Sequence, residues 1–156
     1  MTKGAFVYSL LLYFTLSMFF ISRVTPLAPA IKALVNIKPD SLNLESNTKW
    51  VSASIEALTD DGTFLDVHDI NVSTISLYHD YCNFITEAHH VRVLGNKVVV
   101  WFNASHVIDH IWEFLHHMGI EIIPPTEKYP IQLMVAGQLF NGRHFEGIDH
   151  MHIFSK

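Results

Sequence analysis

Ile131-Gln132-Leu133-Met134-Val135-Ala136-Gly137-Gln138-Leu139-Phe140-Asn141-Gly142-Arg143-His144-Phe145-Glu146-Gly147-Ile148-Asp149-His150-Met151-His152-Ile153-Phe154-Ser155-Lys156 closes the chain. Two alternating apolar runs flank Asn141-Gly142, a pair whose members both tolerate the positive φ that a type I′ turn demands. The stretch predicts an antiparallel hairpin and an all-β ending.

The same period recurs upstream. Ala33 to Ile37 reads as a first strand ended by Lys38-Pro39-Asp40, a turn cluster. From Lys49 onward, Val51, Ala53, Ile55 and Ala57 point one way while Trp50, Ser52, Ser54 and Glu56 point the other, the alternation of a strand with one buried face. Asp60-Asp61-Gly62 is a turn, Val72 to Tyr78 is β-rich, and Val91 to Leu94 and Lys97 to Phe102 flank the two-residue loop Gly95-Asn96. One segment departs from this rhythm. Val107, Ile108, Ile111, Trp112, Phe114, Leu115 and Met118 recur at helical spacing, with Asn103 or Ser105 as N-cap and Gly119 as the stop. Pro124-Pro125 then ends any helix. Short strands with turns every ~8 to 12 residues, plus helix only as a connection, predict a β-sandwich with one crossover helix at about residues 104–118. The predicted core holds Trp50 or Trp101, Val51, Ile55, Val98, Val100, Ile111, Phe114, Leu115, Met118 and the apolar face of the last hairpin.

Residues 1–30 carry an address. Lys3 precedes an uncharged apolar run from Ala5 to Ile21, and Ala28-Pro29-Ala30 offers an A-x-A cleavage site, the pattern of a secretory signal. Retained, the run is an N-terminal membrane anchor slightly short of the ~20 residues that span a bilayer. Both cases place residues 31–156, read as one domain, outside the cytoplasm: secreted, or held at the outer face of the cytoplasmic membrane. That domain has 8 Lys and Arg against 15 Asp and Glu, a net charge of −7 with neutral histidine, which argues against nucleic acid as a partner. Cys82 stands alone, so no intrachain disulfide forms, and a buried, inert thiol is the expectation.

Eleven histidines are the compositional outlier. His106, His110, Glu113 and His117 fall at i, i+4, i+7 and i+11, sharing the helix face opposite the apolar stripe, with His116 beside them. Imidazole and carboxylate at this spacing are the donors that Zn²⁺, Cu²⁺ or Ni²⁺ would use; the competing reading is the wetted face of an amphipathic helix. His150 and His152 share a strand face, and His89-His90 would lie on opposite faces if extended. Asn71-Val72-Ser73 and Asn103-Ala104-Ser105 match the N-x-S/T glycosylation acceptor, with Asn103 also a helix cap. Catalysis finds little support. Cys82 with nearby His79 lacks an orienting partner and a nucleophile elbow, and the H-E-x-x-H motif, calcium loops and glycine-rich phosphate loops are missing. No catalytic residue and no cofactor is assigned.

Val35-Asn36-Ile37-Lys38-Pro39-Asp40-Ser41-Leu42-Asn43-Leu44-Glu45-Ser46, then Lys49-Trp50-Val51, Asp69 to Ile75, Val100 to Asn103, and Val135 to Asp149 occur in that order. They resemble a small domain of archaeal and bacterial exported proteins that reads V-x-I-x-P-x-x-L-N-L, K-W-V, D-I-D-V-S-T-V, V-K-F-D-R and V-x-G-x-L-x-D-G-x-x-F-E-G-x-D. The resemblance implies an Ig-like antiparallel β-sandwich serving as a non-catalytic module near cell surfaces. Members often carry an acidic D-x-D-x-D-G segment that looks like a calcium site; here Tyr78 to Leu94 holds histidines instead, so calcium is not carried over.

The expectation is therefore a non-enzymatic, cell-surface structural or interaction module, secreted or membrane-tethered. Two alternatives stand beside it. One is an extracytoplasmic transition-metal-binding protein using His106, His110, Glu113 and His117. The other is a subunit of an extracellular filament or surface layer that self-associates through a sheet edge.

Overall fold

The computed structural model describes residues 30–58, 62, 64–80, 82–122 and 128–155; the expected signal or anchor segment, the Asp60-Asp61 turn and Pro124-Pro125 lie outside them. Among the described residues nine strands and one α-helix, with a single 3₁₀ turn at Val67–Asp69, follow in the order β1 (Ile31–Lys38), β2 (Ser41–Asn43), β3 (Trp50–Ala57), β4 (Ile70–His79), β5 (Asn83–Glu87), β6 (His90–Leu94), β7 (Lys97–Asn103), α1 (Ala104–Met118), β8 (Tyr129–Leu139) and β9 (His144–Phe154). They form one curled sheet in the order β5-β4-β8-β9-β1-β3-β7-β6, with β2 attached to β9. The sheet is mixed rather than antiparallel throughout, because β1 and β2 both run parallel to β9.

The curl is made by β1 changing partners. Ile31 and Lys32 pair with Phe145 and Glu146 of β9, whereas Ala33 to Lys38 pair antiparallel with Ala57 to Ser52 of β3. At the crossing, a side chain on Gly147 would stand 2.5 Å from the Ala33 carbonyl oxygen and collide with Val35, so only glycine lets the strands pass. Leaving β9 deprives part of β1 of main-chain partners. Asp149 makes up for it: its Oδ2 accepts the Ile37 N–H at 2.7 Å. Phe145, fully buried, lies against Gly137 of the neighbouring strand, where a Cβ would come within 2.8 Å of its ring. The Phe-Glu-Gly-Ile-Asp run is thus a joint between two halves of the sheet, β5-β4-β8-β9 and β3-β7-β6.

The hairpin of β8 and β9 forms around the expected residues with a different turn. Gly142 adopts φ 83 while Asn141 keeps a negative φ. The Gly142 N–H donates to Leu139 O and the Leu139 N–H to Arg143 O, so the loop has three residues and ends in a left-handed glycine. Asn141 contributes through its side chain instead, its Oδ1 accepting the Arg143 N–H at 3.0 Å. In β4 the pairing with β8 slips between Asn71 and Ser76, and the Thr74 hydroxyl fills the gap by accepting the Gln138 N–H at 2.8 Å.

The helix begins and ends where its caps dictate. Asn103 Oδ1 accepts the Ser105 N–H, and Gly119 sits in the left-handed region with its N–H and that of Ile120 donating to His116 O and Leu115 O, a Schellman closure. The helix packs on β5, β3 and β7 through Ala104, Val107, Ile111 and Leu115. These join Val51, Ile55, Val98, Val100, Phe102, Leu77, Leu133 and Phe145 in one core cluster shared by both sheet halves. Two expectations about the core fail. Met118, in the last helical turn beside the C-terminal Gly119, is 60% exposed, and Trp50 and Trp101 are half-buried on the outer side.

Candidate functional site

Alternation along β3 and β7 sends Val51, Ala53, Ile55, Val98, Val100 and Phe102 inward and Trp50, Ser52, Ser54, Val99, Trp101 and Asn103 outward. Cross-strand pairing then assembles the outer face in rows. Lys38, Ser52, Trp101 and His90 form one row across β1, β3, β7 and β6; Asn36, Ser54, Val99 and Arg92 form the next. Trp50, Trp101 and His90 line an open groove of about 290 Å³. His89 and His90 do not splay to opposite faces, because His89 lies in a bend before β6. Their rings are 4.4 Å apart and both stand about 5 Å from the Trp50 ring. Lys49 Nζ lies 5.4 Å from the Trp50 ring centre, within cation–π range.

A second cluster lies beneath the helix. His79, the last residue of β4, is 2% exposed, its ring 4.3 Å from Phe114 and 5.4 Å from His110. Asp80 follows with φ 53, and its carboxylate stands 3.8 Å from His79 Nε2. His79 Nδ1 and His110 Nε2 are buried without a hydrogen-bond partner among the described residues. Burial holds the His79 pKa below its ordinary value; Asp80 opposes this by favouring the imidazolium, and neighbouring His110 adds to the lowering. His79, Asp80, Phe114, Tyr129, Gln132 and His150 border an open depression of about 350 Å³.

The candidate metal ligands do not converge. His106 Nδ1 shares a hydrogen bond with Thr86 Oγ1 at 3.1 Å, and His110 turns toward His79. Glu113 and His117 are exposed; with His110 they border a shallow depression beside Asn83 and Phe114. Among the described residues no three His, Cys, Asp or Glu side chains are placed to hold a metal ion. Cys82 is exposed, contrary to the expectation of a buried thiol, because it sits in the turn that follows Asp80. No hydrogen bond joins it to the buried His79 among the described residues, so the pair has no nucleophile-and-base geometry. Both sequons share one local geometry: Ser73 Oγ donates to Asn71 Oδ1 at 2.7 Å and Ser105 Oγ to Asn103 Oδ1 at 2.9 Å.

No protein-family model, curated protein or solved structure matches this chain. The site must carry the functional argument. Two features escaped the reading of the sequence: the burial of His79 and the exposure of the tryptophan face. A signal for the second was present, since Trp50 falls in the same phase as Ser52, Ser54 and Glu56 rather than with Val51 and Ile55. For His79 no local signal existed, because its cover comes from a helix some thirty residues downstream.

Proposed function

We propose that the chain is a non-catalytic module of Ig-like sandwich type, exported and either secreted or tethered at the outer face of the cytoplasmic membrane, acting by surface recognition. The observation that supports this best is the outer face of β3 and β7. Trp50 and Trp101 lie half-open there, although burying a large aromatic is among the most favourable things a core offers. The residues of the β1–β9 crossing support it from the other side, for Phe145, Gly147 and Asp149 are each engaged in holding the sheet together and none is left for chemistry. The exposed Cys82, the chain's one thiol, allows a direct test. A membrane-impermeant maleimide applied to intact, reductant-treated cells labels Cys82 if the domain is extracytoplasmic; labelling only after lysis would sink the reading.

The transition-metal alternative has one observation in its favour, the two unpartnered imidazole nitrogens of His79 and His110. Stoichiometric metal in protein purified without a tag or metal column would favour it. The filament alternative draws on the outermost strands of the sheet among the described residues, β5 and β6, the latter with Val93 and Leu94 exposed. Monomeric sedimentation at high concentration would remove it.

A further inference from the structure

Resting on the surface-recognition reading, we propose that the outer face of β1-β3-β7-β6 binds an acidic polysaccharide through stacking of a pyranose ring on Trp101 and Trp50. Shape and chemistry together favour a sugar. A pyranose presents a face of C–H groups, slightly positive, and an equator of hydroxyls; an indole presents a flat apolar face with negative π-density. On the outer face Trp101 has Ser52 directly opposite on β3 and His90 opposite on β6, with Asn36, Ser54 and Arg92 in the next row beside the aliphatic Val99, so hydrogen-bonding groups border an apolar aromatic platform.

Charge favours an acidic sugar. Among the described residues the outer positions of these four strands carry Lys32, Lys38, Arg92 and Lys97 against a single carboxylate, Glu56, with Lys49 at the edge. Lys97 is 3.5 Å from Glu56 and Lys38 is bonded to Asp40, whereas Lys49 and Arg92 have no carboxylate partner among the described residues. Unneutralised cations beside the tryptophans of an otherwise acidic domain complement a carboxylated sugar. β3 and β7 are hydrogen-bonded on both sides, so the two tryptophan-bearing strands offer an added peptide strand no backbone groups, and only the outermost strand β6 could pair with one. At the tryptophans, side chains select the ligand.

Trp112 is 42% exposed on the helix, so Trp112→Phe leaves Trp50 and Trp101 as the two tryptophan reporters, read with excitation that spares tyrosine. The test titrates full-length Trp112→Phe protein with an oligogalacturonate, a neutral cello-oligosaccharide, a proline-rich peptide and an oligothymidylate. The acidic sugar should change tryptophan emission saturably. Its affinity should fall about tenfold or more in Trp101→Ala, severalfold in Arg92→Gln, and severalfold again as ionic strength rises from about 0.05 to about 0.5 M. Circular dichroism of each variant should match the parent, since both positions lie on the surface. No response to the acidic sugar, an equal response to the neutral one, or an undiminished response in well-folded Trp101→Ala overturns the proposal. A response confined to the peptide or the oligonucleotide also overturns it while leaving surface recognition intact; the Cys82 labelling result separately decides export.

Discussion

The β1–β9 crossing and the tryptophan face of β3 and β7 are linked through β1, which pairs with β9 and then with β3, yet their side chains spend their interactions differently. At the crossing, Gly147 admits the Ala33 carbonyl, Asp149 satisfies Ile37, and Phe145 covers Gly137. On the face, Trp50 and Trp101 remain half-open, with Lys49 and Arg92 lacking carboxylate partners among the described residues. The most distinctive sequence motif is therefore the most structural part of the molecule. The proposed recognition falls to residues that the fold leaves unused.

The largest test of this contrast is Gly147→Ala. Its Cβ meets the Ala33 backbone, which cannot rotate away as a side-chain end could, so the variant should lose about 3 kcal/mol or fail to fold, read by urea unfolding. Asp149→Ala comes next. Removing the carboxylate leaves the part-buried Ile37 N–H without its acceptor, at about 2 kcal/mol, and hydrogen exchange at Ile37 should accelerate more than at Val98 in the opposite half. If either change is silent, the crossing is not the joint described.

Smaller effects belong to the helix-covered histidine. The His79 pKa is lowered in the folded state, so below its ordinary value of about 6.5 the unfolded chain binds a proton that the folded chain resists. Stability contributed by neutral His79 is complete above that value and lost as pH falls through the interval down to the folded pKa. Melting temperature should thus drop between about pH 7 and pH 5, and His79→Leu should blunt this drop while costing little at neutral pH, since it removes a nitrogen that has no partner. An unchanged acid limb in His79→Leu would assign the pH response elsewhere. Trp101→Ala, at a half-buried ring, should cost about 1 to 2 kcal/mol and leave the protein folded while weakening ligand binding about tenfold or more, which is the sharpest form of the contrast. Met118→Gln, at a side chain 60% exposed, should stay within about 0.5 kcal/mol.

Legibility in the sequence follows the range of the forces involved. The alternation of Val51 to Ala57, the Gly95-Asn96 hairpin and the Asn103 and Gly119 caps report interactions within a few residues, and each appears where expected. β5 was hidden because its polarity is inverted: Phe84 points out at 53% exposure while Thr86 is buried. β2 was hidden by length, three residues held by Phe154 and Ser155 as much as by their own pairing: the Leu44 N–H donates to Phe154 O, and Ser155 Oγ donates to Glu45. The candidate ligands His106, His110, Glu113 and His117 do share a helix face, but a face fixes direction only. Thr86 and His79, which draw two of them apart, come from other strands.

What the sequence alone determined is which residues point together: period two for the strands, 3.6 for the helix, and caps at its ends, all consequences of local backbone geometry. Which elements become neighbours was decided only in three dimensions. β1 pairs parallel with a strand over one hundred positions away and then leaves it, because Gly147 makes room and Asp149 supplies a lost partner. No period encodes such a contact, since its free energy arises from packing and hydrogen bonding between segments that meet only after the chain has closed on itself.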